Sequence, residues 1–440
     1  MSADGAMKDA NAAALAVLVK TGTGKRLAIR AFEAIARPLV FAMERLGYCR
    51  ANASAEINSI LVLEYWNLGD VVMELPFLQN LRIQYPNAHI VLLTSPKVAP
   101  LVEHQGLVDE VIVVRVPWAQ HYARWRKYNP FSLLWLELAR TLIFLHRRHF
   151  DLALTARADI RDNFIIWLAE VRRRIGYAFG GGGFFLTDVV KPDLERPHLS
   201  DRWLKLIEHL GKPIVVREPH LRLTQEEEKF AEEYLAERGI PNEDFLIGIH
   251  SGARSPTRQW GEENFLKLAH RLQAQLPFKI LWFRDPNQES PALNGTQPAL
   301  DGTRLVSISP LPLRQFMALL KRCRLFICND SGPMHIATAL QVPVVAIFGP
   351  TEPTWCKPLG DNNRVVIHPG FWCRPCLDYC RFDEPYCIRA VTVESVLEAS
   401  VEALNTLLLK TRQAAFREQL SEFEEAGLPS GGTGMKIRPS

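Results

Sequence analysis

The sequence predicts an α/β protein in which two doubly wound, Rossmann-like parallel sheets face one another across a central cleft. Short apolar runs alternate with helical patterns in both halves of the chain, and such runs are typical of parallel strands buried on both faces. Turn-forming residues follow several of these runs, where the loops of a parallel sheet begin. A chain of 440 residues also exceeds what one hydrophobic core usually organises, which favours two domains.

Composition excludes several classes of protein. Hydrophobic residues make up 48% and charged residues 23% of the chain, as is usual for a globular protein. A net charge of +4 is too small to indicate a nucleic-acid partner. Eight cysteines in a chain of this length do not indicate a secreted disulfide scaffold.

The chain is predicted to be cytoplasmic. No stretch approaches the ~20 uncharged apolar residues that cross a bilayer. Glu137 and Arg140 interrupt the most apolar segment, residues 131–145. Asp4 and Asp9 precede the first apolar run and no clear cleavage site follows it, so a secretory signal is not expected.

Residues 1–58 are predicted to form an N-terminal extension with a basic amphipathic helix. Apolar residues recur at helical spacing between Arg26 and Leu46, with Arg30, Arg37 and Arg45 on the polar side. Two interpretations stay open: an accessory helix packed on the body of the protein, or an interfacial helix that touches anionic lipid.

Residues 59–218 are predicted to form the first domain. A buried strand at residues 60–63 leads through the segment Glu64–Asp70 into a helix over residues 71–85. Further strands are predicted at residues 89–94, 110–114 and 151–155. The alternation of strands and helices makes a doubly wound sheet the simplest solution.

Two insertions interrupt the first domain. Residues 118–149 are aromatic and basic and include Arg124 and Arg126, which suits an acidic lipid-linked ligand or a bilayer surface. A solvated helical hairpin with a buried apolar stripe is the alternative. The run Gly180–Gly183, with Phe184 and Phe185, predicts a mobile loop with an apolar tip, because no helix follows to make it a phosphate cradle.

Residues 219–390 are predicted to form the second domain, and its most informative segment is 324–351. An apolar strand at residues 325–328 is followed by Asn329–Pro333, which combines capping side chains, a glycine and a first-turn proline. A short helix over residues 334–340 and a second strand at residues 342–348 complete a β-turn-α-β unit.

This unit suits a bound diphosphate. Backbone N–H groups of Ser331, Gly332 and Met334 would point out of a helix N-terminus, which favours anions. Gly332 permits close approach, and His335 is a further donor on the first turn. Alternatively, Asp330 and Ser331 merely cap the helix and His335 is a surface residue.

The run Asn329–His335, together with Ala337, Pro343 and Phe348–Thr351, closely resembles the signature of glycosyltransferase family 9, the heptosyltransferases of lipopolysaccharide inner-core synthesis and their relatives. Similarity to the family covers residues 60–409. The resemblance implies a GT-B fold and transfer with inversion, without metal or other cofactor. The implied donor is a nucleotide diphosphate sugar such as ADP-heptose. The implied acceptor is a lipid-linked acidic glycan at the inner face of the cytoplasmic membrane.

The resemblance also implies site residues. The family's proposed general base falls on Asp70, with Asn67 and Gly69 beside it on the acceptor side. The alternative is an aspartate that only complements the helix dipole. Arg258 occupies the place of a family lysine that lies near the donor phosphates, two residues before a tryptophan. The remaining donor-side candidates are Ser251, Gly252, Thr257, Glu289 and Asp330.

The cysteines of the second domain allow a further interpretation. Cys373, Cys376, Cys380 and Cys387 have spacings compatible with a four-thiolate zinc or iron–sulfur site. Buried thiols or a redox-sensitive pair is the favoured interpretation, and no metal is expected. Two alternatives to a transferase stay open. A sugar-nucleotide epimerase can share the two-domain fold, and a non-catalytic nucleotide-sugar or metal-binding module could be organised by the cysteines.

The C-terminal residues complete the predicted organisation. A helix within residues 391–425 is expected to pack back across both domains. Residues 426–440 have the glycine, serine and proline content of a disordered tail.

Overall fold

Two six-stranded parallel sheets form the centre of the protein. The computed structural model describes residues 23–48, 56–119, 129, 131–275, 278–285, 305–376, 378 and 380–425, with residues 23–26 and 410–425 described by their backbone alone. The predicted architecture of two doubly wound sheets is confirmed.

The first sheet has the strand order β3-β2-β1-β4-β5-β6. Its strands are β1 (Ser59–Leu63), β2 (His89–Thr94), β3 (Glu110–Val113), β4 (Leu152–Leu154), β5 (Arg173–Gly176) and β6 (Asp188–Val189). The order reverses between β1 and β4, whose register pairs Leu61 with Ala153. Ligands of doubly wound sheets bind beyond the carboxyl ends of the strands at such a reversal.

The second sheet repeats this order as β12-β11-β10-β7-β8-β9. Its strands are β7 (Leu246–His250), β8 (Lys279–Phe283), β9 (Leu305–Ile308), β10 (Leu325–Asn329), β11 (Val344–Phe348) and β12 (Arg364–Ile367). Here the reversal lies between β7 and β10, which pair in parallel with Ile249 opposite Ile327. Both strands are fully buried, as their apolar runs predict.

Helices cover both faces of each sheet. In the first half they are α1 (Thr23–Arg45), α2 (Leu68–Gln84), α3 (Ala99–Val102), α4 (Leu133–His146), α5 (Ile160–Leu168) and α6 (Leu199–His209). In the second half they are α7 (Gln225–Ala236), α8 (Glu262–Gln275), α9 (Leu313–Lys321), α10 (Gly332–Ala339), α11 (Pro353–Cys356), α12 (Tyr386–Arg389) and α13 (Val393–Glu425). No helix in the described part of the chain is long and apolar enough to span a bilayer.

The connection between the two sheets is held by hydrogen bonds on both sides. The Asn80 side chain of α2 accepts from the backbone N–H groups of Val215 (2.6 Å) and Val216 (3.1 Å). From the other side, Leu221 donates its N–H to the carbonyl of Ala339 at 2.8 Å. These bonds fix the connection against α2 and α10, and so constrain how the two sheets face one another.

The segment 180–185 is packed, so the predicted apolar-tipped loop is wrong. Phe185 is almost fully buried. Gly182 donates its N–H to the Glu33 carboxylate at 2.7 Å. Helix α1 covers this segment, and the sequence of the segment alone does not reveal that partner.

Helix α13 packs on the second sheet, and the expectation that it crosses both domains is wrong for its described side chains. Val396, Leu397 and Leu404 join the apolar cluster formed by β7, β10 and β11. The predicted tail, residues 426–440, lies outside the described residues.

Candidate functional site

A cleft of about 1730 Å³ lies between the carboxyl ends of the two sheets. Predicted residues from both halves of the chain line this cleft: Asn67, Gly69, Asp70, Arg258, Asp330, Ser331, Gly332 and His335. Loops that follow β1 and β4 therefore share one cavity with loops that follow β7 and β10.

The N-termini of α2 and α10 meet at the cleft, and two glycines permit the contact. A Cβ atom on Gly69 would lie 2.8 Å from Cδ2 of His335. A Cβ atom on Gly332 would lie 3.2 Å from Cβ of Leu68. The first N–H groups of a helix lack acceptors within it and carry partial positive charge. Two such helix ends at one cavity favour an anionic ligand.

Asp70 lies in the first turn of α2, where it both caps the helix and lines the cleft. Its Oδ2 accepts from the Asn67 backbone N–H (3.2 Å) and from Asn67 Nδ2 (2.8 Å), and lies 2.7 Å from Arg157 Nη2. Burial raises the pKa of Asp70, but Arg157, Asn67 and Arg254 outweigh that effect and bring the pKa below its usual value. The carboxylate is therefore ionised at neutral pH.

Arg157 is held by a second carboxylate that sequence reasoning missed. Its Nε lies 3.2 Å from Glu64 Oε2, and its guanidinium lies 4.8 Å from the ring centre of Trp66. Burial raises the pKa of Glu64 to about 7, although Arg157 opposes this. Glu64 directly follows β1 and Arg157 follows β4, so the position of both residues at the carboxyl ends of neighbouring strands could have indicated them.

Glu74 lies on the same helix as Asp70 and is fully buried. Neither carboxylate oxygen has a hydrogen-bond partner among the described residues. Burial first, and then the Glu64 charge, raise the pKa of Glu74 well above its usual range. These effects favour the neutral form of Glu74, and of these two carboxylic acids only Asp70 lines the cleft.

Arg258 bridges two acidic residues on the second domain. Its Nη1 lies 3.0 Å from Asp330 Oδ2, and its Nε lies 3.0 Å from Asp378 Oδ1. Arg254 also pairs with Asp378, at 2.6 Å. Burial lowers the pKa of Arg258, but the two carboxylates raise it more, so the side chain stays charged. Asp330 lines the cleft and holds Arg258 in place, and its assignment as a donor-side residue stays a prediction.

Asn329 joins the loops that follow β7 and β10. Its Nδ2 donates to the Ser251 carbonyl at 2.7 Å, and its Oδ1 accepts from the Trp260 backbone N–H at 3.1 Å. Ser251 is buried. At Gly252 a Cβ atom would lie 2.5 Å from Asp285 Oδ2. Neither Ser251 nor Gly252, both donor-side candidates, is among the residues lining the cleft.

Two predicted donors are placed differently from expectation. The Met334 N–H donates to the Ser331 carbonyl at 3.1 Å, so the prediction that this N–H is free to bind a ligand is wrong. The Met334 side chain is buried as well. Thr257 Oγ1 lies 2.8 Å from Ser255 Oγ, and Thr257 borders a small cavity beside the cysteines and not the cleft. The predicted residues Arg124, Arg126 and Glu289 lie outside the described residues.

His335 is buried against α2, which overturns the alternative of a surface histidine. Burial lowers its pKa, although Asp330 and Asp70 act in the opposite direction. The imidazole is therefore neutral at pH 7, and it can donate one hydrogen bond into the cleft without adding charge.

Basic side chains line both walls of the cleft, and most of them were not predicted. The first domain contributes Lys97, Arg115, Arg157, Arg161 and Arg202, and the second contributes Arg254, Arg258 and Arg284. They are scattered along the sequence, and only the fold brings them together. Positive charge on both walls suits two anionic ligands, one on each side.

The four cysteines border a cavity that is separate from the cleft. Burial first, and then Cys376 and Cys373, raise the pKa of the Cys387 thiol to about 11. Among the described residues, no group of three or more histidine, cysteine, aspartate or glutamate side chains is arranged to hold a metal.

Similarity to known proteins agrees with this geometry. The profile of glycosyltransferase family 9 (heptosyltransferase) matches residues 136–386, more than half of the chain. Lipooligosaccharide heptosyltransferase 2 of Haemophilus ducreyi is 26% identical over 324 residues, which cover 70% of this chain and 88% of that protein.

Solved structures of the same kind share the fold. A glycosyl transferase family 9 protein from Veillonella parvula superimposes with a TM-score of 0.63 at 24% identity, covering 80% of this chain and 97% of that one. The ADP-heptose lps heptosyltransferase II of E. coli gives a TM-score of 0.61 at 22% identity, over 80% and 99% of the two chains. The chain thus belongs to glycosyltransferase family 9 and is a glycosyltransferase with the GT-B fold.

Proposed function

We propose that this enzyme transfers a heptose, or a similar sugar, from a nucleotide diphosphate sugar to a lipopolysaccharide core or another lipid-linked glycan. The observation that carries the proposal is that one cleft holds the ionised Asp70 and the N-terminus of α10. The relative from Haemophilus ducreyi is named as a lipooligosaccharide heptosyltransferase, and the E. coli structure as an ADP-heptose enzyme. These names favour ADP-heptose as the donor.

The donor diphosphate fits the second domain. The first turn of α10 offers the N–H groups of Ser331 and Gly332, and Arg258 supplies a fixed positive charge. His335 adds a neutral donor at the same helix end. As the bond between the sugar and the diphosphate breaks, negative charge grows on the leaving oxygen, and these groups stabilise it.

Asp70 has the role of general base. It would take the proton of the acceptor hydroxyl while the hydroxyl oxygen attacks the anomeric carbon and the nucleoside diphosphate departs from the opposite side. One bond forms as one breaks, so the configuration at the anomeric carbon inverts. Because donors of the protein stabilise the leaving group, we propose that the reaction needs no metal.

The acceptor fits the first domain. Lys97, Arg115, Arg161 and Arg202 line that wall of the cleft beside Asp70. Arginine guanidinium groups bind phosphate and carboxylate in a bidentate manner. We propose that these residues hold the acidic groups of a lipid-linked glycan, at the cytoplasmic face of the membrane that contains it.

The proposal is tested by incubating the purified enzyme with ADP-heptose, with and without a lipopolysaccharide core acceptor, and measuring the release of nucleoside diphosphate. We expect nucleoside diphosphate to be released only when acceptor is present, with chelator making no difference, and NMR of the product to show an inverted anomeric configuration. Conversion of the donor without acceptor would instead identify an epimerase. Donor binding without turnover on any core acceptor would identify a non-catalytic binding module.

A further inference from the structure

Helix α1 packs on the first domain through one narrow stripe. Val40 is buried beside Trp167 and Phe185. On the same stripe, Glu33 accepts from the Gly182 N–H at 2.7 Å and Glu44 lies 2.9 Å from Arg174 Nη2. The spacing of these α1 residues, 33, 40 and 44, places them on one side of the helix.

The rest of the helix surface exposes large apolar side chains. Leu27 is 64% exposed, Ile35 69%, Leu39 61%, and Leu46, directly after the helix, 88%. Phe32 and Met43 extend the row formed by Ile35 and Leu39. Side chains of this size at such exposure mark an interaction surface when they form a continuous patch.

The carboxylates of α1 face the body of the protein. Glu33 and Glu44 are the only acidic residues between positions 23 and 46, and both are bonded to the body of the protein. Arg37 falls on the packed stripe by its spacing and lies 5.8 Å from the ring centre of Phe184, whereas Arg30 and Arg45 are exposed beside the stripe. The outward surface of α1 is therefore apolar, with Arg30 and Arg45 at its edge and no carboxylate on it.

We infer that α1 binds the surface of an anionic lipid bilayer, lying in the plane of the headgroups with its apolar row inserted. Apolar side chains flanked by arginine and free of acidic groups match a bilayer interface that carries negative charge. A second copy of the chain fits less well, because a two-fold contact through this surface would set the same arginines against one another.

The neighbouring helices extend the same side of the molecule. Helices α4 and α5 both pack on one face of the first sheet, through Leu138 and Ile165 among others, and α1 packs beside α5. Leu133 and Ile143 of α4 are also exposed. The inference deepens the proposed function and rests on it in one respect: a lipid-linked acceptor would enter the cleft through the domain that touches the membrane.

The test is sedimentation of the full-length protein with lipid vesicles. We expect binding to vesicles of phosphatidylglycerol and phosphatidylethanolamine, and weak binding to phosphatidylcholine vesicles. The double variant Ile35→Asp/Leu39→Asp should lower the partition coefficient roughly tenfold or more, because it removes inserted apolar area and adds repulsive charge. Ile83→Asp/Val113→Asp is the matched control, since it adds the same charge at exposed apolar residues of α2 and β3. It should bind like the wild type.

Equal binding of the wild type and the α1 variant, or no binding by the wild type, would overturn the inference. A wild-type dimer that the α1 variant dissociates, without vesicle binding, would assign the surface to a second copy instead. Transfer to a detergent-solubilised acceptor is measured on the same proteins. If the wild type binds vesicles but transfers nothing, the proposed function fails and the membrane surface stands. If it transfers sugar but does not bind vesicles, the membrane surface fails and the proposed function stands.

Discussion

Arg157 Nη2 lies 2.7 Å from Asp70 Oδ2, although 86 residues lie between the two in the sequence. The pair joins the loop after β4 to the first turn of α2, at the reversal point of the first sheet. Arg157 keeps the candidate base ionised and fixes its position. Glu64, in turn, holds Arg157 from behind.

Arg157→Gln should shift the pH dependence of transfer. Arg157 lowers the pKa of Asp70, so its loss raises that pKa, and a larger fraction of Asp70 is protonated at acidic pH. We expect the acid limb of the kcat/KM profile to move to higher pH. Arg157→Lys, which keeps the charge, should shift the limb less; an unmoved limb in Arg157→Gln would show that the pair does not tune the base.

Arg258→Lys should weaken donor binding without unfolding the protein. Lysine keeps a charge beside the buried Asp330, but it cannot bridge Asp330 and Asp378 as the planar guanidinium does. A lysine held less firmly should lose one charged hydrogen bond to the donor diphosphate, which corresponds to roughly a tenfold rise in the donor Kd. Calorimetry with ADP measures this, with Arg82→Lys, remote from the cleft, as the control. An unchanged Kd would remove Arg258 from the donor site.

Gly69→Ala should destabilise the protein, whereas glycine-to-alanine changes within helices commonly stabilise. The new Cβ would lie 2.8 Å from the buried His335 ring, and overpacking of this kind costs about 1–3 kcal/mol. Urea unfolding of Gly69→Ala, with Gly332→Ala as the milder case, measures the difference. Adding His335→Ala should recover much of the loss. If Gly69→Ala is as stable as the wild type, the two helix ends are not in close contact.

His198 should make the protein less stable in acid. Its Nδ1 accepts from the Ser200 N–H, and its Nε2 lies 3.0 Å from the Lys357 carbonyl of the second domain. Burial lowers its pKa from 6.5 to about 4. Between pH 6.5 and pH 4, His198 is therefore protonated in the unfolded chain but neutral in the folded protein. Its contribution to the free energy of unfolding is present above pH 6.5 and is lost as the pH falls toward 4.

The corresponding measurement is the melting temperature of wild type and His198→Asn between pH 7 and pH 4.5. We expect the wild type to lose more stability than the variant over this interval, by at most about 3 kcal/mol. His89→Asn, at an exposed histidine, controls for the general effect of removing an imidazole. Parallel curves for wild type and His198→Asn would contradict the assignment.

Local patterns were sufficient to predict two parallel sheets and the two helix ends at the cleft, but not the edge strands β6 and β12. Strand β2 was predicted with its observed limits, because its apolar run is bounded by turn residues on both sides. Helix α2 begins at Leu68, three residues before the predicted start, since Asn67 caps it and Asp70 completes the capping box. Asp70 is therefore both a cap and a cleft residue, and the two interpretations were not alternatives.

Contacts between distant segments could not be predicted. Arg258 forms an ion pair with Asp378, and α1 packs over residues 180–185. Both contacts join parts of the chain that share no local pattern. The same holds for the basic walls of the cleft, since Arg115, Arg161 and Arg202 come from separate loops and helices. The N–H of Met334 was misassigned for a local reason: the first turn of α10 closes tightly enough to bond it to Ser331.

The most direct test of the central claim is single-turnover transfer by Asp70→Asn, which keeps the size and cap position of the side chain but removes its basicity. We expect the rate of the chemical step to fall by about 10²–10⁴-fold while the donor Kd stays close to that of the wild type. Asp361→Asn, at an exposed carboxylate outside the cleft, should transfer at near the wild-type rate. Wild-type turnover by Asp70→Asn would contradict the role of Asp70 as the base.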